Sequence, residues 1–480
     1  MDEKSLPPRV LIFPLPLQGP INCMLKFAEL LCLAGIDVTF LNTDHYHRRL
    51  LRFTDVQSRL SRYPGFRFET IPDGLPEDHP RSGDRFLELL RGLEAVTKPL
   101  FRDMLTAASR SSEQLSPVTC IIADGALNFC LDVAEEVGIP FFFVETISPC
   151  GLWTCLCIPK LIDAGEIPFN GSDLDVPIRS VPSMEGFLRR RDLLSFCRAV
   201  DPNDPIIKLA IREAQQIPRG QGLIVNTFEE LDGPVLSHMR SVCPNLYSVG
   251  PLHEHLKTRL AGEPALPPAS SSNSLWQEDR SCMTWLDKQP PKSVIYVSIG
   301  SMAMMTAAQL VEFWHGLVNS AQRFLWVRRP NSVAGGGFEG QIPAELVEAT
   351  AARGCVVSWA PQEEVLAHPA VGGFLTHSGW NSTLESMVEG VPMLCWPYYA
   401  DQQVNSRFVG EVWKLGMDMK DTCDRGLIES MIRELMEVRR EELTESAEQM
   451  AKLARQSVRQ GGSSFCDFNR FVEDIRSMKG

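Results

Sequence analysis

The residues best suited to bind a charged ligand form a short loop at positions 376–380 (THSGW), which joins an apolar run to a helical pattern beginning near Asn381. The start of a helix presents four backbone N–H groups and the positive end of the helix dipole, so it binds phosphate without a cation. Gly379 permits close approach of the backbone, while Ser382 and His377 add a hydroxyl and a ring donor. The loop predicts a diphosphate site. An ordinary capped helix beside a loop histidine is the competing interpretation.

The elements that position this loop alternate between short apolar runs and helical patterns in both halves of the chain. Repetition of strand and helix predicts an α/β protein with two parallel sheets, each covered by helices on both faces. The predicted strands are 10–13, 37–41, 120–123, 140–144, 222–226, 293–299, 323–328, 355–357, 373–375 and 393–396. The predicted helices are 21–34, 126–137, 307–320 and 381–389, followed by a helical pattern over 427–460.

The length of 480 residues predicts two domains, and a Pro- and Ser-rich stretch at 261–274 marks a connection between them. We expect an amino-terminal acceptor-binding domain at 1–250, a linker at 251–284 and a sugar-nucleotide domain at 285–460. A tail at 461–480 is expected to pack back on the first domain. Two doubly wound domains facing each other would hold a ligand cleft between them, at the carboxyl ends of both sheets.

Composition and net charge limit the cellular locations and the binding partners that are expected for the protein. A net charge of −13 disfavours nucleic acid or an anionic membrane as the main partner. The apolar run at 10–17 is short and contains Pro14 and Pro16, so we do not expect it to be a signal peptide. The run at 141–162 is interrupted by charges and is predicted not to span a membrane. Fourteen cysteines without a CxxC pair indicate reduced thiols. We expect a cytoplasmic monomer.

The stretch from Trp359 to Gln402 carries a resemblance to a known family. Its 44 residues resemble the signature box of the plant secondary-product UDP-glycosyltransferases, family 1 of the glycosyltransferases, at nearly every position. The similarity extends to residues 285–287 (WLD) and 300–301 (GS). The resemblance implies the α/β GT-B fold, with two facing Rossmann-like domains. It also implies inverting transfer of glucose from UDP-glucose, as donor substrate, with neither a metal nor a cofactor.

The resemblance also assigns roles within the donor site. Trp359 would stack on uracil beside Ala360 and Gln362, and Glu385 would hold the ribose diol through its two acceptor oxygens. Gln402 at the last position of the box favours glucose over galactose. The phosphates and the sugar would be held by a larger set of residues: Gly19, Ser301, His377, Gly379, Trp380, Asn381, Ser382, Asp401 and Gln402. Packing in the core is the alternative for Trp359 and Trp380, and a solvated helix position for Glu385.

The acceptor side departs from the family at the catalytic base. The family loop reads Gln-Gly-His, and its histidine takes the proton of the acceptor hydroxyl with help from an aspartate. Here the loop reads Gln18-Gly19-Pro20, whereas the aspartate is present as Asp124. Proline has neither a titratable group nor an N–H, and it suits the first turn of a helix. A general base typically accelerates a reaction by about 10²- to 10⁴-fold, so its loss needs an explanation.

Four explanations remain open. Asp124 could act directly or through a water molecule. The acceptor could be acidic enough to need little help, as a carboxylic acid, an activated phenol, or a hemiacetal or enol hydroxyl would be. His45 or His47 could replace the base, although a surface role also explains both. Finally, the chain could have lost efficient turnover and bind a UDP-sugar or a metabolite as a regulatory protein.

The acceptor pocket is expected mainly from the first domain, with an apolar lining that suits terpenoid-like or phenolic molecules. For each candidate taken alone, a position in the core is favoured over contact with a ligand. The candidates are Leu15, Phe86, Leu90, Phe142, Trp153, Met184, Phe187, Phe196 and, from the second domain, Tyr399.

Two further patterns are set aside. Residues 335–340 (GGGFEG) match a dinucleotide-binding pattern but follow a loop and open no clear helix. Asp173 and Asp175 resemble a metal-binding pair but lie beside a turn. The working hypothesis is therefore an inverting O-glucosyltransferase that acts on a small lipophilic acceptor. A UDP-sugar or metabolite binding protein is the alternative.

Overall fold

The computed structural model describes residues 7–110, 117–169, 173–199, 201, 203–262, 272–330, 332–333 and 344–478. The chain divides into two compact units. The first unit contains Met1–Asp163, Asp201–Trp276 and Arg455–Gly480, and the second contains Ala164–Val200 and Gln277–Ala454.

The first unit is built on a seven-stranded parallel sheet. Its strands are β1 (Arg9–Phe13), β2 (Asp37–Thr43), β3 (Phe66–Ile71), β4 (Val118–Asp124), β5 (Phe141–Glu145), β6 (Gly222–Val225) and β7 (Leu246–Ser248). Their order is β3-β2-β1-β4-β5-β6-β7, so the direction of winding reverses between β1 and β4. In doubly wound sheets, ligands bind at the carboxyl ends of the strands beside such a reversal.

The second unit repeats this arrangement with a six-stranded parallel sheet. Its strands are β8 (Val294–Ser298), β9 (Arg323–Val327), β10 (Gly354–Val357), β11 (Val371–Thr376), β12 (Met393–Cys395) and β13 (Gly416–Asp418). The order β10-β9-β8-β11-β12-β13 places the reversal between β8 and β11. The prediction of two parallel α/β sheets is confirmed, and each of the ten predicted strands is present within two residues of its expected ends.

The helices among the described residues follow the strands along the chain. They are α1 (Gln18–Leu33), α2 (Asp44–Phe53), α3 (Val56–Leu60), α4 (Phe86–Gly92), α5 (Lys98–Arg110), α6 (Phe129–Val137), α7 (Pro149–Leu156), α8 (Ile158–Asp163), α9 (Pro205–Gln216), α10 (Glu229–Val242), α11 (Leu252–Ala261), α12 (Ser281–Leu286), α13 (Ala307–Asn319), α14 (Ala344–Arg353), α15 (Gln362–Leu366), α16 (Trp380–Glu389), α17 (Gln402–Arg407), α18 (Arg425–Arg433), α19 (Arg440–Ser457) and α20 (Ser463–Ser477). None of the helices in the described part of the chain is long and apolar enough to cross a membrane.

The tail and the linker both contribute to the first unit. Helix α20 packs on α1, with the rings of Phe27 and Phe471 5.7 Å apart. The hydroxyl of Tyr247 also donates to Asp474 over 2.6 Å. Helix α11 lies inside the predicted linker and buries Leu252 in the same core, so this part of 251–284 is regular structure. Residues 263–271 lie outside the described residues.

One segment lies in a different unit from the one predicted. Residues 164–200 belong to the second unit, although the sequence placed them in the amino-terminal domain. Asp192 is fully buried in an ion pair with Lys420, and Arg407 approaches it over 3.5 Å. Ala400 and Ser195 exchange two hydrogen bonds. Because a buried carboxylate is costly without its partners, this ion pair ties the segment to the second unit.

Candidate functional site

The donor-site candidates of the second unit lie at the reversal between β8 and β11. The two strands are adjacent and parallel, with Ser298 opposite Thr376 at their carboxyl ends. The loops that follow therefore meet at one edge of the sheet, and they carry Ser301 and His377. A Cβ atom placed on Gly300 would overlap Nε2 of His377, so the absence of a side chain at Gly300 allows this contact.

Helix α16 begins at Trp380, one residue before the predicted start, and its N-cap residue is Gly379. Glycine has no side chain with which to cap the helix, so the positive end of the dipole is not neutralised by its own N-cap residue. Ser378 has φ of +63°, a conformation that non-glycine residues adopt only when their surroundings impose it. Its N–H donates to Thr376 Oγ1, and its carbonyl accepts from Asn405 Nδ2 over 2.9 Å.

His377 lies between Gly379 of this turn and Gly300 of the loop after β8. A Cβ atom on Gly379 would overlap its Nε2, as would one on Gly300. Burial and the positive charge of Arg329 lower the pKa of His377 to about 4. The ring is therefore neutral near pH 7, with one N–H donor and one bare nitrogen, and a hydrogen bond to the backbone of Ser298 partly opposes the lowering of its pKa.

Three side chains near the predicted nucleoside site form hydrogen bonds with one another. Gln362 Nε2 donates to Ser382 Oγ over 2.8 Å and to Glu385 Oε2 over 2.6 Å. The hydroxyl of Tyr296, on β8, donates to Gln362 Oε1 over 3.3 Å. These contacts hold the carboxylate of Glu385 in place before any ligand binds. Ala360 is buried beside Trp359, whose carbonyl accepts from the N–H of Asp279.

The predicted sugar-binding residues lie around the start of α17. Gln402 Oε1 accepts from the backbone N–H groups of Tyr398 and Tyr399, over 2.9 and 2.8 Å. This fixes the orientation of the amide, with its NH₂ group directed away from the turn. Asp401 Oδ2 accepts from Asn405 Nδ2 over 2.8 Å. Trp380 is buried near Trp413, with ring centroids 6.0 Å apart, so at least its ring has a packing role.

Pro20 and Asp124 lie at the corresponding reversal of the first unit. Pro20 is the third residue of α1, so it occupies the first helical turn as predicted, and Gly19 precedes it. Asp124 ends β4, the strand paired with β1. Its Oδ2 accepts from Thr146 Oγ1 over 2.9 Å, and its Oδ1 accepts from the N–H of Ala126 over 3.1 Å. Burial raises the pKa of Asp124 to about 6, which is closer to neutrality than an ordinary aspartate.

Two glutamates close to Asp124 were not predicted from the sequence. Glu145 ends β5 and is buried, while Glu213 comes from α9. A Cβ atom on Gly125 would overlap Glu145 Oε1 and would lie 2.6 Å from Glu213 Oε1, so both carboxyls lie against the same glycine. Burial and the neighbouring carboxylates raise the pKa of Glu145 well above its usual range, and burial raises the pKa of Glu213 to about 7. A glutamate on a helical face shows no local pattern that would predict such a pair.

The two histidines considered as replacement bases lie on α2. Burial, with Arg81 and Arg49, lowers the pKa of His45 to about 4, which makes its ring a weak base. Burial also lowers the pKa of His47, whose ring centroid lies 5.0 Å from that of Phe68. These environments favour packing roles for both rings.

The predicted acceptor residues divide between the units. Leu15, Phe86, Leu90, Phe142 and Trp153 belong to the first unit, and Tyr399 to the second. Phe142 is buried and packs on Phe471 at 5.2 Å in the core of the first unit. Trp153 is buried and stacks on His238.

Three acceptor candidates need a correction. Met184, Phe187 and Phe196 were expected in the first domain, but they belong to the second unit because they lie on the segment that Asp192 anchors there. Met184 is fully buried, and the ring of Phe187 packs against Phe408 at 5.2 Å.

The patterns that were set aside have structural explanations where the structure describes them. Asp173 lies 3.7 Å from Arg190, and Asp175 pairs with Arg189 and Arg191. The glycine-rich pattern at 335–340 lies outside the described residues. Among the described residues, no group of three His, Cys, Asp or Glu side chains is arranged to hold a metal ion.

Comparison with known proteins identifies the family. A family model described as UDP-glucoronosyl and UDP-glucosyl transferase matches residues 268–441. A 7-deoxyloganetic acid glucosyl transferase of Catharanthus roseus is 55% identical over 477 residues, which cover 99% of each chain. Myricetin 3-O-rhamnoside 1,2-glucosyltransferase UGT709G2 of Crocosmia x crocosmiiflora is 44% identical, over 100% of this chain and 98% of its own. The crystal structure of Os79 from O. sativa in complex with UDP superposes with a TM-score of 0.79 and 29% identity, over 97% of this chain and 100% of that chain.

The two Rossmann-like units and the helix start at the reversal of the second sheet define an α/β protein of the GT-B class. The chain belongs to the plant UDP-glycosyltransferases, family 1 of the glycosyltransferases. It is a UDP-glucose-dependent glucosyltransferase of plant secondary metabolism.

Proposed function

We propose that the chain is an inverting O-glucosyltransferase that moves glucose from UDP-glucose to a small lipophilic acceptor with an acidic group. The observation that carries the proposal is the start of α16 at Gly379, beside the prearranged side chains of Gln362, Ser382 and Glu385. Such a site provides hydrogen-bond donors and a positive dipole end for a diphosphate, together with acceptors for a ribose diol.

In the proposed reaction, an acceptor oxygen attacks the anomeric carbon of glucose from the face opposite UDP. The bond between that carbon and the diphosphate oxygen breaks, and the anomeric configuration is inverted. Negative charge develops on the departing UDP, where the N–H groups and the dipole of α16 stabilise it. Because these groups and Arg329 supply positive potential from the protein itself, we propose that the reaction proceeds without a metal.

Removal of the proton from the acceptor is the step at which this chain departs from the family pattern, because Pro20 stands in the place of the histidine base. Asp124 is the titratable residue that the resemblance places on the acceptor side, and its raised pKa of about 6 suits a base at neutral pH. An acidic acceptor would lose its proton to solvent and would need no base. We favour an acid because the relative from Catharanthus roseus, named for 7-deoxyloganetic acid, is 55% identical over 99% of each chain.

The test is turnover by the purified full-length chain with UDP-glucose. Candidate acceptors are 7-deoxyloganetic acid, small phenols and simple terpenoid alcohols, each assayed with and without EDTA. We expect release of UDP together with a glucoside that mass spectrometry detects, a β configuration in its NMR spectrum, unchanged rates with EDTA, and the highest rate with the acid. An α-glucoside would exclude inversion, and inhibition by EDTA that added metal reverses would exclude metal independence.

The absence of a histidine at Pro20 supports a second candidate function, a protein that binds UDP-sugar or a metabolite without efficient turnover. Calorimetry with UDP-glucose distinguishes the two functions. Tight binding without product from any acceptor in the panel would favour the binding protein. We further propose that the protein is a monomer in the cytoplasm, which light scattering and a fluorescent fusion would test.

A further inference from the structure

Arg329 follows β9 and reaches the loop after β8, the neighbouring strand. Its Nε donates to the carbonyl of Gly300 over 2.8 Å, and its Nη2 donates to the carbonyl of Ala303 over 2.5 Å. Both carbonyls belong to the loop that carries Ser301. The guanidinium therefore bonds to this loop at two points three residues apart, which the fork of an arginine can do and a lysine cannot.

Within the described part of the chain, the positive charge of Arg329 has no carboxylate partner. No acidic side chain among these residues lies within ion-pair distance of it, whereas Arg407 pairs with Asp192 and Arg425 pairs with Glu312. Burial lowers its pKa to about 10, so it remains charged near pH 7. A partly buried cation that bonds only to carbonyls is costly, and an anion bound nearby would offset that cost.

The surroundings of Arg329 identify where that anion would lie. Gly300 contacts the ring of His377, and His377 contacts Gly379 at the start of α16. After burial, the positive charge of Arg329 is the next cause that lowers the pKa of His377, so the guanidinium lies close enough to this turn to interact with it electrostatically. The Gly300 loop, His377 and the start of α16 thus form one cluster, and Arg329 is hydrogen-bonded to the loop.

The hydrogen bond to Gly300 also sets the direction of the next N–H group. In a trans peptide the carbonyl and the following N–H point in opposite directions. Because the Gly300 carbonyl points toward Arg329, the N–H of Ser301 points away from it. Gly300 has φ of +74°, so this direction depends on a backbone conformation that glycine adopts readily.

We propose that Arg329 is a positioning residue for the donor diphosphate, which orients the Ser301 amide and places a positive charge behind the phosphate-binding turn. The proposal rests on the proposed donor site and adds a residue outside the 359–402 box. It predicts that the contribution of Arg329 to binding affinity increases with the phosphate charge of the ligand.

The experiment compares UDP with uridine by isothermal titration calorimetry in Arg329→Met, Arg329→Lys and the wild type. We expect Arg329→Met to weaken UDP binding by about 10- to 100-fold while uridine binding changes by less than about threefold. Arg329→Lys should recover much of the UDP affinity, because it restores the charge but only part of the loop contact. The KM for UDP-glucose should follow the UDP affinity, whereas the KM for the acceptor should not change.

Arg328 provides the matched control, because its guanidinium lies over the ring of Trp314 at 5.8 Å and its N–H bonds to Val357. Arg328→Met should leave both affinities unchanged. Equal losses for UDP and uridine in Arg329→Met, or no loss at all, would overturn the positioning role. If Arg329→Met does not fold, Arg329→Gln keeps one donor without the charge, and a UDP affinity equal to that of the wild type would overturn the proposal in the same way. Failure of the wild type to bind UDP would instead refute the donor site itself.

Discussion

The side-chain amide of Gln362 donates a hydrogen bond to the carboxylate of Glu385, with Nε2 2.6 Å from Oε2. One residue opens α15 and the other lies in the second turn of α16, so the bond joins two helices of the candidate donor site. Gln362 also donates a hydrogen bond to Ser382. It therefore orients both the Glu385 carboxylate and the Ser382 hydroxyl in the structure without a nucleotide. Such preorganisation lowers the entropic cost of binding.

Replacing this carboxylate should weaken donor binding. Glu385→Gln keeps the shape but loses the charged acceptor for the ribose hydroxyls, so we expect the KM for UDP-glucose to rise about 10- to 100-fold. The KM for the acceptor should stay within twofold. Glu389→Gln, at the other end of the same helix, is the control and should behave as the wild type. Steady-state kinetics with both substrates varied would measure this, and an unchanged UDP-glucose KM would contradict the ribose role.

Asp124 should control the pH dependence with alcohol acceptors. A base acts only when unprotonated, and the pKa of Asp124 is raised to about 6, so kcat/KM should fall as the pH drops through about 6. Asp124→Asn should lower kcat by about 10²- to 10⁴-fold and remove this acidic limb. Asp232 is the matched control, because burial raises its pKa to about 6 as well, while its partners are Thr227 and Cys150. An acidic limb that persists in Asp124→Asn and vanishes in Asp232→Asn would exclude Asp124 as the base.

Restoring a histidine in the first turn of α1 should increase the rate with poorly acidic acceptors. Pro20→His returns the family base, and we expect at least a tenfold higher turnover on simple alcohols. For an acceptor that is already ionised near neutral pH, the same change should have little effect. Parallel kcat measurements on an alcohol and a carboxylic acid provide the comparison, and circular dichroism checks the fold. An unchanged or lower rate on alcohols in the folded variant would show that a missing base does not limit the reaction.

The Glu145 and Glu213 pair should make the protein less stable as the pH rises. Both groups have raised pKa values in the folded state, so the stability they contribute is present below the usual glutamate value near 4.5 and is lost as the pH rises toward about 7. Glu145→Gln removes one titrating group and should reduce the fall in Tm between pH 5 and pH 8. Thermal unfolding across that range measures the effect. Glu135→Gln, on the exposed face of α6, is the control, and parallel curves for the wild type and Glu145→Gln would contradict the argument.

The strands and helices that the sequence predicts correctly are those whose own residues form a recognisable pattern. Buried central strands such as β4 and β11 are continuous apolar runs, which is why they were located within two residues. Three strands were missed. β3 lies at a sheet edge with partly exposed side chains, and β7 and β13 are three residues long at the opposite edges. Edge strands of this kind are too short or too polar to differ from loops in a single sequence.

The sequence by itself determined the strand, turn and helix of the candidate donor site, because these elements are contiguous in the chain and a glycine precedes the helix. The start of α16 was accordingly predicted within one residue. Only the tertiary structure decided which distant residues support that site and which unit holds 164–200. Arg329 reaches the Gly300 loop, and Asp192 pairs with Lys420, through contacts between residues far apart in the chain. Contacts of this kind depend on the order of the strands and on burial, and neither leaves a periodic pattern in the sequence.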